Sequence, residues 1–437
     1  MESVAAPTKP SLEQVASRHI LMATLGSLGD LHPVLALALE LKRRGHRITI
    51  ATTAFYRDKI EKLGLGFHPL RPDWDPTNHE LIRKCEDLKR GPEVLFRELV
   101  LPYLKETTYD LIEAASEADL MVASEMVFGA PLLAEKLGLR WVSHILSPCS
   151  FVSVHDPSLM VNVPHLYKLR RAGPLVNRTI LEFGKIYSRN WWEPVRQLRR
   201  EMGLRVECDP FFSDKYSPEL VLALFSQYLG RPQPDWPKQT IQPGFVFFDR
   251  GESGDENATQ LREFLSEGEP PIVFTLGSTA VHNPGNFYEA SIEAAKLLGR
   301  RALLLGSKTI SGRISPDVLA LPYAPFSQIF PRAAAIVHQG GSGTTGQAML
   351  FGRPQLIVPY GWDQPDNGVR IERLGTGISL ARKSYSAQTA AAALKRLLQD
   401  GSFSTRVTQI AAKVKEEDAL TVACDSIESV IEIGRRP

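Results

Sequence analysis

The segment HQGGSGTTGQAM (338–349) closes an apolar run, AAAIVH, and opens a helical pattern. Gly340, Gly341 and Gly343 leave backbone N–H groups uncovered, and Ser342 and Thr344 add hydroxyl donors. Free N–H groups and the helix dipole make such a start attractive to an anion, above all a phosphate or diphosphate. The other reading is a tight strand–helix turn with a capped helix. No Gly-Lys-Ser/Thr follows, so this is not a Walker loop, and the G-x-G-x-x-G spacing is absent. Asp363-Gln364 follows the apolar run PQLIVP. A carboxylate beside an amide suits neighbouring hydroxyls of a sugar, although Asp363 could equally be the N-cap of the next helix.

In the other half of the chain, Asp30 lies in GSLGDLHP (26–33), after a first apolar run. A carboxylate at a strand end facing a cleft can serve as a general base, or simply cap a helix. His32, two residues on, is the rival base, since imidazole titrates near neutrality; its other role is a surface or capping residue. A third polar, Gly-containing loop is LGST (276–279). Asp73-Trp74-Asp75 has the form of a metal-binding acidic pair, but its Pro-rich setting reads as a turn. No metal site is expected.

These loops need strands and helices to hold them. HILMATLG (19–26) reads as a buried strand, Pro33 as the opening of a helix that stops at Gly45, and HRITIATT (46–53) as the next strand. The alternation continues through strand 119–124, helix 127–138 and strand 140–146, and implies a parallel sheet. Residues 150–215 read as inserted long helices over a cleft. GRPQPDWPKQTIQPG (230–244), with four prolines, reads as the interdomain linker, followed by a polar loop, DRGESGDENATQ. The strand–helix rhythm then restarts at PPIVFTLGST, and 386–434 is helical. In open parallel sheets, ligands bind beyond the carboxyl ends of the strands, where the three polar loops fall.

The 437 residues suit two or three domains at roughly 100–200 residues each. Formal net charge is +2, from 51 Lys and Arg against 49 Asp and Glu, which gives no footprint for nucleic acid. The four cysteines form no CxxC pair and read as free thiols. MESVAAPTKPSLEQVASR lacks a continuous apolar core, and no run of about 18 apolar residues occurs, so the expected location is the cytoplasm. The basic stretch 168–205 carries Trp191-Trp192. It reads as a solvated helix face diluted by Glu182, Glu193 and Glu201, with loose contact to an anionic membrane surface as the other reading.

The chain resembles the family 1 nucleotide-sugar glycosyltransferases of the GT-B fold. The motif YAPFSQIFPRAAAIVHQGGSGTTGQAMLFGRPQLIVPYGWDQPDNGVRIERLGTG (323–377) carries the resemblance, with GSLGDLHP and FTLGST in support. It is most similar to bacterial sterol-, macrolide- and rhamnosyltransferase-type members; WPKQTIQPGFVFFD (236–249) resembles the rhamnosyltransferases of rhamnolipid synthesis. The resemblance implies an α/β protein with two Rossmann-like parallel-sheet domains facing each other across a cleft. Residues 1–235 would bind the acceptor and 236–420 the donor, with 421–437 a helix crossing back.

By the same resemblance, His338 would meet the α-phosphate. Ser342, Gly343 and Thr344 would hold the diphosphate with Ser278, and Gly340 and Gly341 belong to the same donor-binding loop. Tyr323 would stack on the base while the Ala324 backbone reads its edge, and Asp363 and Gln364 would bind sugar hydroxyls. Asp30 falls where plant members have a catalytic His. The Asp that orients that His is replaced here by Ser124, with Glu125 beside it; the ribose-binding Glu is Gly346, and a Gln near the base is Phe326. The implied activity is inverting, metal-independent and cofactor-free hexosyl transfer. UDP-glucose is the favoured donor and dTDP-rhamnose the alternative; the acceptor is an apolar hydroxyl compound, such as a phenol or flavonoid, a sterol, a polyketide or a hydroxy-acyl lipid. A sugar-nucleotide 2-epimerase and a non-catalytic nucleotide-sugar sensor are the competing readings. Oligomeric state is not legible.

Overall fold

A computed structural model describes residues 17–75, 77–249 and 255–433. Residues 1–16, 76, 250–254 and 434–437 lie outside the described residues, and with them the polar tail, part of the polar loop and the last residues of the expected crossing helix.

The first half supplies seven strands: β1 (His19–Ala23), β2 (Arg47–Thr52), β3 (Gly66–Pro69), β4 (Leu120–Ser124), β5 (Trp141–Ile145), β6 (Leu220–Ala223) and β7 (Thr240–Ile241). They form one parallel sheet in the order β3-β2-β1-β4-β5-β6-β7. β1 is central: Met22 pairs with Ile50 on one side and Val122 on the other. Its five residues are all buried, as a strand covered on both faces requires. The second half repeats the plan with β8 (Ile272–Thr275), β9 (Ala302–Leu305), β10 (Gly312–Ser315), β11 (Val318–Leu321), β12 (Ala335–His338), β13 (Gln355–Ile357) and β14 (Gly377–Ser379). Their order is β10-β11-β9-β8-β12-β13-β14, parallel except for the β10–β11 hairpin.

In each sheet the strand order reverses beside the central strand, between β1 and β4 and between β8 and β12. That reversal opens the crevice in which such sheets bind ligands. The loops after β1, β4, β8 and β12 therefore carry Asp30, Glu125, Ser278 and Ser342 to the two crevices.

The terminal helix Ala419–Ile433 packs on the helix Leu28–Arg43 of the first half. Its Ala423, Cys424 and Ile427 share a core with Ile20, Leu35 and Leu37. Arg44 ties the two helices through Glu428 (2.6 Å), which also meets His46 (3.0 Å).

Several elements differ from the sequence reading. The first helix starts at Leu28, five residues before Pro33, because Ser27 and Asp30 form a capping box. The Pro-rich segment 230–244 is not only a connection: Thr240–Ile241 adds the edge strand of the first sheet, Thr240 opposite Val221. Strands β3, β6, β10, β11 and β14 went unread. Residues 150–215 do hold helices, Pro174–Ser188 and Glu193–Glu201, with a 3-10 stretch at Pro164–Ala172.

Candidate active site

Asp30 is the third residue of its helix. Its Oδ2 accepts from the Ser27 backbone N–H (2.8 Å) and the Ser27 hydroxyl (3.2 Å), while Ser27 Oγ accepts from Gly29 N–H (3.1 Å). Gly26 makes this turn with φ 134°, and a Cβ there would stand 2.3 Å from the Asp30 carboxylate, so only glycine fits. Burial pushes the Asp30 carboxyl up to about 6 against the Ser27 hydrogen bonds, and the charges of Asp363 and Glu125 push it further. At pH 7 about nine-tenths of such a group is ionised, so it is available as a base and more basic than an ordinary Asp.

His32 lies two residues further along the same helix, about 200° round from Asp30. Its ring packs on Phe248 (centroids 5.2 Å apart), and its buried Nε2 has no hydrogen-bond partner among the described residues. Burial, then the Lys59 charge, lowers its pKa to about 4, so the ring is neutral at pH 7 and a weaker base than Asp30. Beside the crevice Glu125 is held by Lys215 (2.9 Å) and by the Ser150 hydroxyl (2.5 Å). Ser124 Oγ is buried without a partner among the described residues. The relay position thus holds a hydroxyl, and the nearby carboxylate is committed to an ammonium.

On the facing half, β12 ends at His338, which is fully buried. Its Nε2 meets Gln355 Oε1 (2.9 Å) and its Nδ1 accepts from Gly340 N–H (3.0 Å), which places the ring proton on Nε2. Burial lowers its pKa to about 4. The neutral ring braces the glycine turn from below, and both nitrogens are engaged by protein rather than turned to the open side of the loop. Gly340 has φ 95°. The helix Ser342–Leu350 that follows has Gly341 as N-cap and no side-chain cap, unlike the Ser27-capped helix opposite. Its first N–H groups are therefore left for an anion. The Ser278 loop is close by: a Cβ on Gly277 would lie 2.3 Å from the Gln339 amide.

Asp363 precedes the helix Gln364–Leu374 but does not cap it. Its Oδ2 accepts from Ser342 Oγ (2.9 Å) and Asn367 Nδ2 (2.8 Å). Trp362, at φ 55°, turns the chain to aim it, a strained geometry for a bulky residue. Burial raises the Asp363 pKa to about 6 against these hydrogen bonds. Both folded-state values exceed that of a free Asp, so the stability these carboxyls contribute is present below about pH 4 and lost as pH rises through 6. Gln364 is buried, and its Oε1 accepts from Tyr360 and Gly361 N–H (2.8 and 3.2 Å). Thr344 is buried, Gly343 is open to solvent, and Tyr323, after β11, is 42% exposed above buried Ala324.

Asn367 escaped the sequence reading. Its Nδ2 donates to Gly340 O (2.9 Å) as well as Asp363, and its Oδ1 accepts from Ser147 of the first half (3.4 Å). Phe245 also went unread as a site residue. Its ring would stand 2.8 Å from a Cβ on Gly346, so it covers that glycine and leaves no room there for a larger side chain. The two halves are joined at the rim by Arg370, whose Nε binds Asp366 (2.6 Å) and whose guanidinium also pairs with Asp156. Leu159 N–H donates to Asp366 (2.7 Å). The Asp73 and Asp75 carboxylates accept from Ala54 N–H and from Thr77, as turn residues do. Among the described residues no three His, Cys, Asp or Glu side chains group as a metal site, and no helix is long and apolar enough to cross a membrane.

Two Rossmann-type sheets, one bearing an acid and the other an uncapped helix start beside a second acid, define the GT-B class of group-transferring protein. Comparison with known proteins agrees. Residues 20–149 match the glycosyltransferase family 28 N-terminal domain, and 305–427 the erythromycin biosynthesis protein CIII-like C-terminal domain. O-mycaminosyltylonolide 6-deoxyallosyltransferase of Streptomyces fradiae is 31% identical over 440 residues, covering 94% of this chain and 96% of that protein. Sterol 3-beta-glucosyltransferase of Candida albicans is 28% identical, covering 98% of this chain but 29% of the relative. Among solved structures, the glycotransferase of kitacinnamycin (TM-score 0.70, 20% identity, 95% of this chain, 100% of that one) and a calicheamicin glycosyltransferase (0.70, 19%, 96% and 99%) share the fold. The chain belongs to the nucleotide-sugar glycosyltransferases of the GT-B fold, and it is an O-glycosyltransferase.

Proposed function

We propose that the protein transfers a hexose from a nucleoside diphosphate sugar to a hydroxyl of an apolar polycyclic or acyl acceptor, with inversion and without a metal. The observation that carries this reading is the pairing of Asp30, raised to about 6, with the uncapped start of helix Ser342–Leu350 across the crevice. In the reaction, Asp30 accepts the acceptor's hydroxyl proton as that oxygen bonds to the sugar's C1. The C1–O bond to the diphosphate breaks, and the nucleoside diphosphate leaves. Free N–H groups at 342–344 stabilise its growing charge, an electrostatic role that makes a metal unnecessary. Ser278 adds a donor, and Asp363, fixed by Asn367 and Ser342, accepts from sugar hydroxyls. Closure of the two halves would exclude water and limit hydrolysis of the donor.

UDP-glucose is the first donor to test. A dTDP-deoxyhexose is the second, favoured by Phe245 covering Gly346 and by the deoxyallosyl transfer in the name of the Streptomyces relative. The acceptor class follows from the relatives named for macrolide and sterol substrates. An aromatic cluster lies in the acceptor half: Phe96, Phe128, Trp192 and Phe211. The test incubates the protein with either donor, in chelator, against phenols, sterols, macrolides and hydroxy-acyl lipids, and reads products by mass spectrometry. A hexose or deoxyhexose on an acceptor supports the reading. Epimerised donor without acceptor would point to the 2-epimerase, and bound donor without any turnover to a sensor.

A further inference from the structure

The helix Pro174–Ser188 is turned inside out. At 100° per residue, Leu175, Val176, Phe183, Ile186 and Tyr187 share a stripe about 120° wide. All are exposed: Leu175 82%, Phe183 69%, Ile186 69% and Tyr187 68%. The opposite face, toward the protein, holds buried Asn177 and Ser188. Asn177 Nδ2 donates to Val154 O (2.9 Å) and pins the helix to the acceptor half. A soluble helix normally buries its apolar stripe, and a large apolar patch left outside marks an interaction surface.

Charge identifies the partner. From Pro157 to Trp192 there are six Lys and Arg and a single acidic residue, Glu182, in a chain whose total charge is only +2. Arg178 on the helix and Arg189 just after it are exposed, as are Lys168 and Arg171 in the preceding 3-10 segment. Two copies meeting through this face would bring like charges together, whereas an anionic bilayer offers both apolar depth and opposite charge.

We propose that the helix Pro174–Ser188 is a docking surface that lies in the interface of an anionic membrane, its apolar stripe among the acyl chains and its basic residues at the headgroups. The preceding loop reaches the cleft rim, where Asp156 pairs with Arg370 and Leu159 with Asp366 of the donor half. Docking would thus set the acceptor half against the bilayer; delivery of an apolar acceptor by this route rests on the function proposed above, but docking itself does not.

The test uses the full chain and co-sedimentation with phosphatidylcholine vesicles, with and without phosphatidylglycerol. Wild type is expected to bind the anionic vesicles, more weakly at high salt and on pure phosphatidylcholine. The exposed-site double variant F183E/I186E should lose binding by about tenfold or more, with its circular dichroism and its turnover of a soluble acceptor unchanged. Absence of wild-type binding, or equal binding by the variant, overturns the proposal. So does a wild-type dimer by light scattering that the variant converts to monomer, which would give the stripe to a second copy.

Discussion

Ser27→Ala removes one of the two hydrogen bonds that Asp30 Oδ2 receives, the hydroxyl at 3.2 Å, and leaves the backbone N–H at 2.8 Å. A hydrogen bond to a charged group is worth about 1.5–3 kcal/mol, and this length places it at the lower end. Because the lost bond favoured the ionised form, the Asp30 pKa must rise. About 1.4 kcal/mol is one unit, so the value moves from about 6 toward about 7. The assay is kcat/KM for the acceptor against pH at saturating donor. The acid limb should move up by about one unit, costing about threefold at pH 6.5 and little at pH 8. Thermal unfolding should fall by about 1 kcal/mol for the lost cap of Gly29 N–H. A limb that stays in place or moves down, or a loss uniform across pH, would refute the assignment of that limb to Asp30.

Other outcomes follow from the same geometry. His32→Ala should lower kcat/KM by less than about tenfold, since the ring is a weak neutral base; a hundredfold loss with an intact fold would make His32 the base. Asn367→Ala frees Asp363, Ser342 and the Gly340 carbonyl together. It should weaken nucleoside diphosphate sugar binding by about tenfold or more in calorimetry, while unchanged affinity would remove Asn367 as a positioning residue. Arg370→Gln leaves the buried Asp366 without a cationic partner, while Asp156 keeps Arg373 (2.9 Å). A stability loss of about 3–5 kcal/mol by thermal unfolding is expected, and a loss under 1 would mean that the pair is not what joins the halves there.

The central strands were legible because strands buried on both faces must be apolar throughout: HILMA, IVFT, ALLL and AIVH could hardly be anything else. The edges were not. Gly66–Pro69, Thr240–Ile241, Gly312–Ser315 and Gly377–Ser379 are short, partly exposed and carry Gly or polar residues, so tertiary pairing alone makes them strands. The start of the first helix could have been found, since Ser27-x-x-Asp30 is a capping-box spacing that outranks Pro33 as a start signal. Asn367 and the Glu125–Lys215 pair could not, because contacts between residues far apart in the chain leave no local pattern. Asp363 shows the limit of single-residue reading. By position it is an N-cap, yet Trp362's backbone turns its carboxylate to Ser342 and Asn367.

Asp30→Asn tests the account most directly. The amide retains an oxygen to accept from Ser27 and removes only the basicity. Turnover with the best donor–acceptor pair should drop by about 10²–10⁴ while the dissociation constant for the nucleoside diphosphate sugar stays within about threefold. Turnover that survives the change would contradict the assignment of Asp30 as the base and the mechanism built on it.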